Sequence, residues 1–570
     1  MRTLFSLLFI SFYACTTTNA QYVFTGLDIN PGSSASSPIA MTAIDTLLYF
    51  RAQHSAYGDE PWISDGTVNG TRLLKDIAPG TASSAAKSFT GYNGKVYFSA
   101  ISTNGDELWV TDGNTNGTVL LKDINPGSGS SRPAYFFVSG RKLFFYADDG
   151  VHGNELWMSD GTANGTVMLK DIWTGPDGQD PNIDPSFIEI NNKVYFIATN
   201  GSQVQGYELW TTDGTTNGTQ LVADIRPGLA TSGLRMLTKY NNKLYFFANA
   251  GSPDYGSLWV SDGTSNGTHM AVDPVTGTQI YDGPSSAGLV NNKIPVCNNL
   301  MFFGVNRISN QNINNLELWV SDGTPNGTKQ LKDIYPGLYG CELDYLHVVD
   351  SLVFFFANDS LHGKELWVTD GSTSGTRMVH DIRKQVGFGC SPMFVSPYAN
   401  KLFFGAYDTS STTSYADLWV SDGTSNGTKK IKPYGIKGMS GDSRFDPVVC
   451  HNNMFFTAWF DSTGIELWVL RDTNYHADTS PPASIHNITD KYECSIAPNP
   501  AHDKLKVSWN ISYEDAQISI IDLTGKTLLN KPVLAGQNSI EIVLPNISSG
   551  IYIVNIQHKY GVVTKRLAKD

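Results

Sequence analysis

An all-β fold is predicted: a large β-propeller of four-stranded blades closed by its terminal strands, followed by a small β-sandwich. Three observations predict it. The phrase Glu-Leu-Trp-Val-(Ser/Thr)-Asp-Gly-Thr recurs, anchored on Trp62, Trp109, Trp157, Trp210, Trp259, Trp319, Trp367, Trp419 and Trp468 at spacings of 47 to 60 residues. Such a period marks a propeller or solenoid rather than an enzyme built on one core. A strand with paired aromatics recurs beside each tryptophan, from Tyr49-Phe50 and Tyr97-Phe98 to Phe455-Phe456. The array opens on a strand that lacks its predecessor and ends on one that lacks its successor.

Taken in order, residues 1–20 read as a secretory signal. Arg2 supplies the positive end, Leu4 to Tyr13 a short apolar run, and Thr18-Asn19-Ala20 a small-residue cleavage site. The run is too short to cross a bilayer, and no later stretch is long and apolar enough to do so. Cleavage before Cys15, as in a lipoprotein, is the alternative, and Phe12-Tyr13-Ala14 is a poor match to it.

Within one unit, residues 87–124, four strands can be read. Ser88-Phe89-Thr90 ends the first, and Asn93-Gly94 makes a hairpin turn. Lys95 to Ala100 is the second strand, Glu107 to Thr111 the third, and Thr118 to Ile124 the fourth, stopped by Pro126-Gly127. Adjacent aromatics on the second strand point to opposite faces, so both faces need apolar cover. Radially stacked blades provide it. Val23 to Ile29 reads as a fourth strand at the start, and Glu466 to Leu470 as a third strand at the end. Pairing them closes a ring and removes two exposed edges. The tryptophans count nine blades. Ser257, Pro274 and the 60-residue spacing make the fifth and sixth units irregular, so eight blades and an insertion is the other reading.

The net charge of −13 argues against a nucleic-acid partner, which needs a basic patch. Beyond the signal lie Cys297, Cys341, Cys390, Cys450 and Cys494. An odd number leaves one unpaired in the monomer. Cys341 and Cys390 hold nearly equivalent places in neighbouring units, and a bridge between them is one reading.

The repeated residues point to structure. A mid-strand indole packs between blades and contributes several kcal/mol by burial. The glutamates at 60, 107, 155, 208, 317, 365 and 466 are expected to bond the backbone of a neighbouring turn. The Asp-Gly-Thr-x-Asn-Gly-Thr turns have the composition of a calcium loop without its spacing or distal Glu. No other cofactor or metal is indicated. Asn69, Asn116 and Asn266 match the N-glycosylation acceptor pattern, which in a hairpin reads as turn chemistry. His152 and His362 occupy equivalent loops with no second histidine at ligand spacing. No catalytic residue is singled out.

Residues 107–113 and 317–324 closely resemble the Glu-Leu-Trp-x-x-Asp-Gly-Thr repeat family of secreted bacterial proteins, over residues 21–471. That resemblance implies an extracellular repeat protein and no reaction. After a linker at 472–493, residues 494–570 carry Pro498, Asn499, Pro500, Asp503, Gly525, Gly550 and Tyr552. They are similar to the type A C-terminal sorting domain of the type IX secretion system of Bacteroidetes. The resemblance implies recognition by the translocon and sortase and delivery outside the cell or onto its outer surface. The expected role is binding or adhesion through propeller loops, with a polysaccharide or surface protein as partner. The alternatives are a propeller-borne glycoside hydrolase or lyase, with acidic residues around 273–282 or 344–350, and a scaffold for protein partners.

Overall fold

Each repeat folds into four antiparallel strands, and the Trp109 unit shows why. Its strands are Lys87–Tyr92, Lys95–Ser102, Gly105–Thr111 and Val119–Lys122, hydrogen-bonded in that order. Asn93 and Gly94 have φ of 51° and 72°. Positive φ at both positions gives the turn whose twist matches the flanking strands. Tyr97 and Phe98 point to opposite faces and both are buried. The first strand carries a bulge between Lys87 and Thr90, with Ser88 at φ 61°.

The computed structural model describes residues 21–475 and 494–569. Within these spans it leaves out 177, 180–185, 202–205, 252–256, 272–280, 283–292, 307–315, 338, 386, 410–415, 432–435, 439–446, 461–463, 498–502, 510–515, 523–526, 534–538, 545–547, 549 and 559–560. The signal reading for 1–20 lies outside the described residues. Among those described, every element is a strand. Nine antiparallel sheets precede residue 477, each holding one of the nine anchor tryptophans. The Trp319 unit is a sheet in its own right. Two short strands, Tyr281–Asp282 and Val296–Cys297, pair with Leu300–Asn306, as Ile436–Gly438 and Val448–Cys450 pair with Asn453–Phe460 in the Trp468 sheet.

Neighbouring sheets share cores. Trp109 joins Tyr49, Ile63 and Leu74 of the Trp62 sheet, and Trp157 joins Tyr97, Leu108 and Val110 of the Trp109 sheet. The pattern continues through Trp210, Trp259, Trp319, Trp367, Trp419 and Trp468. Trp62 packs with Leu467 and Val469 of the last sheet and with Leu27 and Ile29 from the start of the chain.

The first strand, Tyr22–Leu27, pairs antiparallel with the last of the array, Gly464–Asp472, from Tyr22↔Asp472 to Leu27↔Leu467. The array runs slightly past the expected boundary at 471. The Asp472 carboxylate is buried on Lys401 at 2.7 Å, and Tyr475 packs against the core between the last two sheets.

Chain contacts divide the protein into Met1–Ala477 and Asp478–Asp570. The second unit has a three-stranded sheet (Cys494–Ala497, Lys504–Trp509, Ser539–Val543) and a four-stranded one (Ala516–Asp522, Thr527–Val533, Gly550–His558, Gly561–Lys569). Leu505, Val507 and Ile542 of one sheet share a core with Ile518, Ile520, Val554 and Ile556 of the other.

Candidate functional site

The repeated glutamate is a structural clamp. Glu107 is fully buried at the start of its strand. Its Oε2 accepts the N–H of Ile124 at 2.7 Å, and its Oε1 accepts those of Asn125 at 3.4 Å and Ser131 at 2.9 Å. The Ser131 hydroxyl donates to Oε2 at 2.6 Å. One carboxylate thus satisfies donors in the turn after the fourth strand and at the entry to the next sheet. Glu60 repeats the set with Ile77, Ala78 and Ser84. Glu155, Glu317 and Glu365 each accept from the two residues at the equivalent turn. The expected bond to turn backbone is what the structure shows. Burial pushes Glu155 up to about 8 and Glu208, Glu317, Glu365 and Glu466 up to about 7, against the N–H donors that pull the other way.

The serine partner was not singled out in the sequence, although its fixed separation from the glutamate could have revealed it. Its place explains two cysteines. Cys341 and Cys390 stand where Ser84 and Ser131 stand in other units, each donating to its own glutamate, Glu317 or Glu365. Both thiols are free and buried, so the bridge considered between them is not formed. Each is fixed, at the entry to its sheet, against a carboxylate of the preceding sheet, and burial raises both thiols well above the ordinary range.

The tryptophans lie between sheets. Trp62, Trp109, Trp157, Trp210, Trp319, Trp367 and Trp419 are buried, and Trp259 and Trp468 are partly so. The Trp157 Nε1 donates to the Ala147 carbonyl at 3.0 Å. Lys170 stands 5.8 Å above the Trp210 ring and Lys332 5.7 Å above that of Trp367, each from the preceding sheet.

The Asp-Gly-Thr turns consume their own polar groups. Asp160 Oδ1 accepts the N–H of Thr162 at 2.9 Å and its hydroxyl at 2.7 Å. The Thr162 hydroxyl accepts from Gly165 N, and Thr166 bonds Ser159. These bonds lower the Asp160 carboxyl below its ordinary value. Among the described residues, no group of three or more His, Cys, Asp or Glu side chains could hold a metal ion. His152 and His362 each pair with an aspartate three residues earlier, at 2.7 Å, which raises both imidazoles. Of the acidic stretches considered for catalysis, 272–280 lies outside the described residues. In the other, Asp344 pairs with Lys364 at 2.5 Å and Asp350 forms a hairpin turn at φ 53°.

Antiparallel order puts two kinds of connection at each end of a sheet. At one end lie the loops between second and third strands and those entering the next sheet, with Val151, Leu229, Tyr339, Leu361 and Phe388 exposed. At the other lie the hairpin turns and the Asp-Gly-Thr turns, stitched from sheet to sheet. Lys122, Lys170 and Lys332 donate to Thr166, Thr219 and Thr376 carbonyls at 2.7–2.8 Å. Tyr92, Tyr240 and Tyr398 donate to Arg141, Asn299 and Asn452 carbonyls at 2.6–2.7 Å.

In the C-terminal unit, the Tyr552 hydroxyl donates to the Ser548 carbonyl at 2.7 Å, Gly550 opens its strand, and the Asp503 carbonyl accepts Leu544 N at 2.7 Å. Pro498, Asn499, Pro500 and Gly525 lie outside the described residues. Residues 495–570 match the secretion system C-terminal sorting domain. That domain directs export by the type IX route to the cell surface or beyond it. No helix among the described residues is long and apolar enough to cross a membrane.

No curated protein sequence is significantly similar to the chain. Among solved structures it is similar to a puromycin hydrolase, at 12% identity over 66% of this chain and 61% of that one, with a TM-score of 0.33. It is similar to Sqt1 of Saccharomyces cerevisiae at 10% identity over 78% and 99%, with a TM-score of 0.34. A fungal alcohol oxidase of the AA5 family matches at 10% identity over 96% and 98%, with a TM-score of 0.27. The chain spans about three fifths of the puromycin hydrolases it matches. Scores this low bear on neither fold nor function.

Proposed function

We propose that the nine sheets close into a β-propeller and that the exported protein is a binding protein of the outer cell surface or its surroundings, with a polysaccharide or surface glycoprotein as partner. The supporting observation is the sorting domain at 495–570 joined to an array with shared cores between successive sheets. A propeller gathers loops from many blades around one mouth, so a site can draw on several repeats. The repeated Glu, Trp and Asp side chains are engaged in holding the sheets together, which leaves recognition to loops and seams where units differ.

The test is to immobilise a panel of polysaccharides and surface glycoproteins and measure retention of the mature chain, residues 21–570. Retention on one class, abolished by free oligosaccharide, supports the reading. Equal retention on all supports and on bare matrix overturns it.

A further inference from the structure

We propose that the seam between the Trp62 and Trp109 sheets is a binding site for one sugar residue of a neutral glycan. The proposal rests on the binding role argued above. A cleft of about 540 Å³ opens at this seam, lined by Asp45, Tyr49, Gly91, Tyr92, Lys95 and Asp112 among others. Its volume lies within the range of small-ligand pockets.

Three residues together shape the cleft. At three other seams a tyrosine ends the first strand and donates to the next hairpin, as Tyr92, Tyr240 and Tyr398 do. Here that position is Ile44, paired with Leu47, and it has no hydroxyl to offer. Lys142 ties its seam to the Asp213 carbonyl at 2.8 Å; Leu47 holds the same register and cannot. The third is Gly91, paired with Val96. The residues in its register are Ala43, Val138, Glu189, Lys239, Val296, Val348, Pro397 and Val449. The seam carrying Val349 and Leu352 lacks two donors in the same way, but Pro397 stands there where the cleft has Gly91.

The lining suits a hydroxyl-rich ligand. Tyr49 and Tyr92 supply aromatic surface. Asp45 accepts hydrogen bonds, and so does Asp112, whose turn has Asn114 in place of the threonine that gives Asp160 a hydroxyl as well as an N–H; Lys95 and the Tyr49 hydroxyl donate them. The corresponding hydroxyl of Tyr245 is bonded to the Gly323 carbonyl at 3.2 Å. At this seam Arg72 takes the Gly113 carbonyl at 2.7 Å, and the Tyr49 hydroxyl faces the cleft. Burial raises Tyr49 above its ordinary value, which keeps it a donor. Two carboxylates stand against Lys95 and Arg72, so the site favours neither an anion nor a cation.

The experiment titrates the mature chain calorimetrically with hexasaccharides of glucose, mannose, xylose and galactose, and with hexameric oligogalacturonate as the acidic comparator. One neutral hexasaccharide should bind. Tyr49→Phe and Asp112→Asn should each weaken it about tenfold, the loss of one hydrogen bond. Asn at 112 still accepts the turn N–H that Asp112 takes from Asn114 at 2.9 Å. Gly91→Val, which places a Cβ 2.7 Å from Ile44 Cγ2, should abolish binding; if it also lowers the melting temperature, the first two variants decide. Lys142→Ala, at another seam, should change nothing. Neutral binding that survives Tyr49→Phe and Asp112→Asn overturns the site and leaves the glycan-binding reading standing. Binding of oligogalacturonate alone overturns the neutral class. Retention on immobilised polysaccharide with no hexasaccharide bound overturns the site alone, and the absence of both overturns both readings.

Discussion

Glu466 accepts the backbone N–H of Ile29, 437 residues earlier in the chain, at 3.0 Å. It also accepts the N–H of Ser36 at 2.8 Å. Both bonds are the counterparts of those Glu107 makes to Ile124 and Ser131 inside one unit. Residues 29–36 therefore serve the last sheet as an ordinary unit serves itself. Glu466→Ala takes the acceptor from the buried Ile29 N–H and the Ser36 hydroxyl, at roughly 1–3 kcal/mol each, and leaves the Ser36 N–H with only the Ile465 carbonyl at 3.1 Å. Urea unfolding should show a loss of about 2–5 kcal/mol, matched by Glu107→Ala. A Glu466→Ala variant as stable as the parent would contradict this role.

The two cysteines beside glutamates are serine substitutes. Cys341→Ser should keep stability within about 0.5 kcal/mol, whereas Cys341→Val, which removes the donor, should cost about 1–3 kcal/mol. Native protein should resist thiol-labelling reagents at Cys341 and Cys390 and react only after unfolding, read by mass spectrometry.

Burial raises the clamp glutamates, so their contribution to stability has a definite sign. A carboxyl whose folded pKa lies above its unfolded value binds more protons when folded. That contribution is complete below the ordinary Glu range near 4.5 and is lost as pH rises through about 7 for Glu208, Glu317, Glu365 and Glu466 and about 8 for Glu155. The urea midpoint should fall between pH 5 and pH 8.5. Glu155→Gln should flatten the upper part of that fall; an unchanged slope would show that Glu155 is ionised throughout.

Trp367 packs against Leu318, Val320 and Leu331 of the preceding sheet and lies beneath Lys332. Trp367→Ala should cost about 3–5 kcal/mol, and Lys332→Ala about 0.5–1 kcal/mol. Thermal melts of the two variants and their double mutant give the coupling between the side chains.

Removing 495–570 takes away the sorting domain. The shortened chain should accumulate inside the outer membrane while its sheets still form, checked by cell fractionation and circular dichroism. Delivery to the medium at the parental level would show that export does not need the domain.

Much of the architecture was legible because repetition averages out local ambiguity. Strand alternation in 87–124, the nine aromatic pairs and the unmatched terminal strands each translate directly into pairing, as in the register Tyr22↔Asp472. The role of Glu107 was legible in kind, since a buried carboxylate needs donors nearby. Its serine partner was not, because the chain passes through a loop before Ser131 returns to it. The seam cleft was illegible for a different reason. Ile44 and Leu47 are unremarkable alone, and only the pairing of neighbouring strands shows that they stand where Tyr92 and Lys142 hold other seams together. The cysteine bridge was misread because equivalent places in successive units each face a glutamate of the sheet before them rather than each other.

The pairing of Tyr22–Leu27 with Gly464–Asp472 has a consequence in time. The strand that completes the last sheet is made first and must wait for its partner. At about 5–20 residues per second of synthesis, roughly 20–90 s separate the two. During that interval it is an unclaimed edge, open to pairing with another copy of itself. Completion of the array is thus a report on length. A chain cut short anywhere before Gly464 keeps both ends unmatched, and proteases that attack loose ends would meet it in that state.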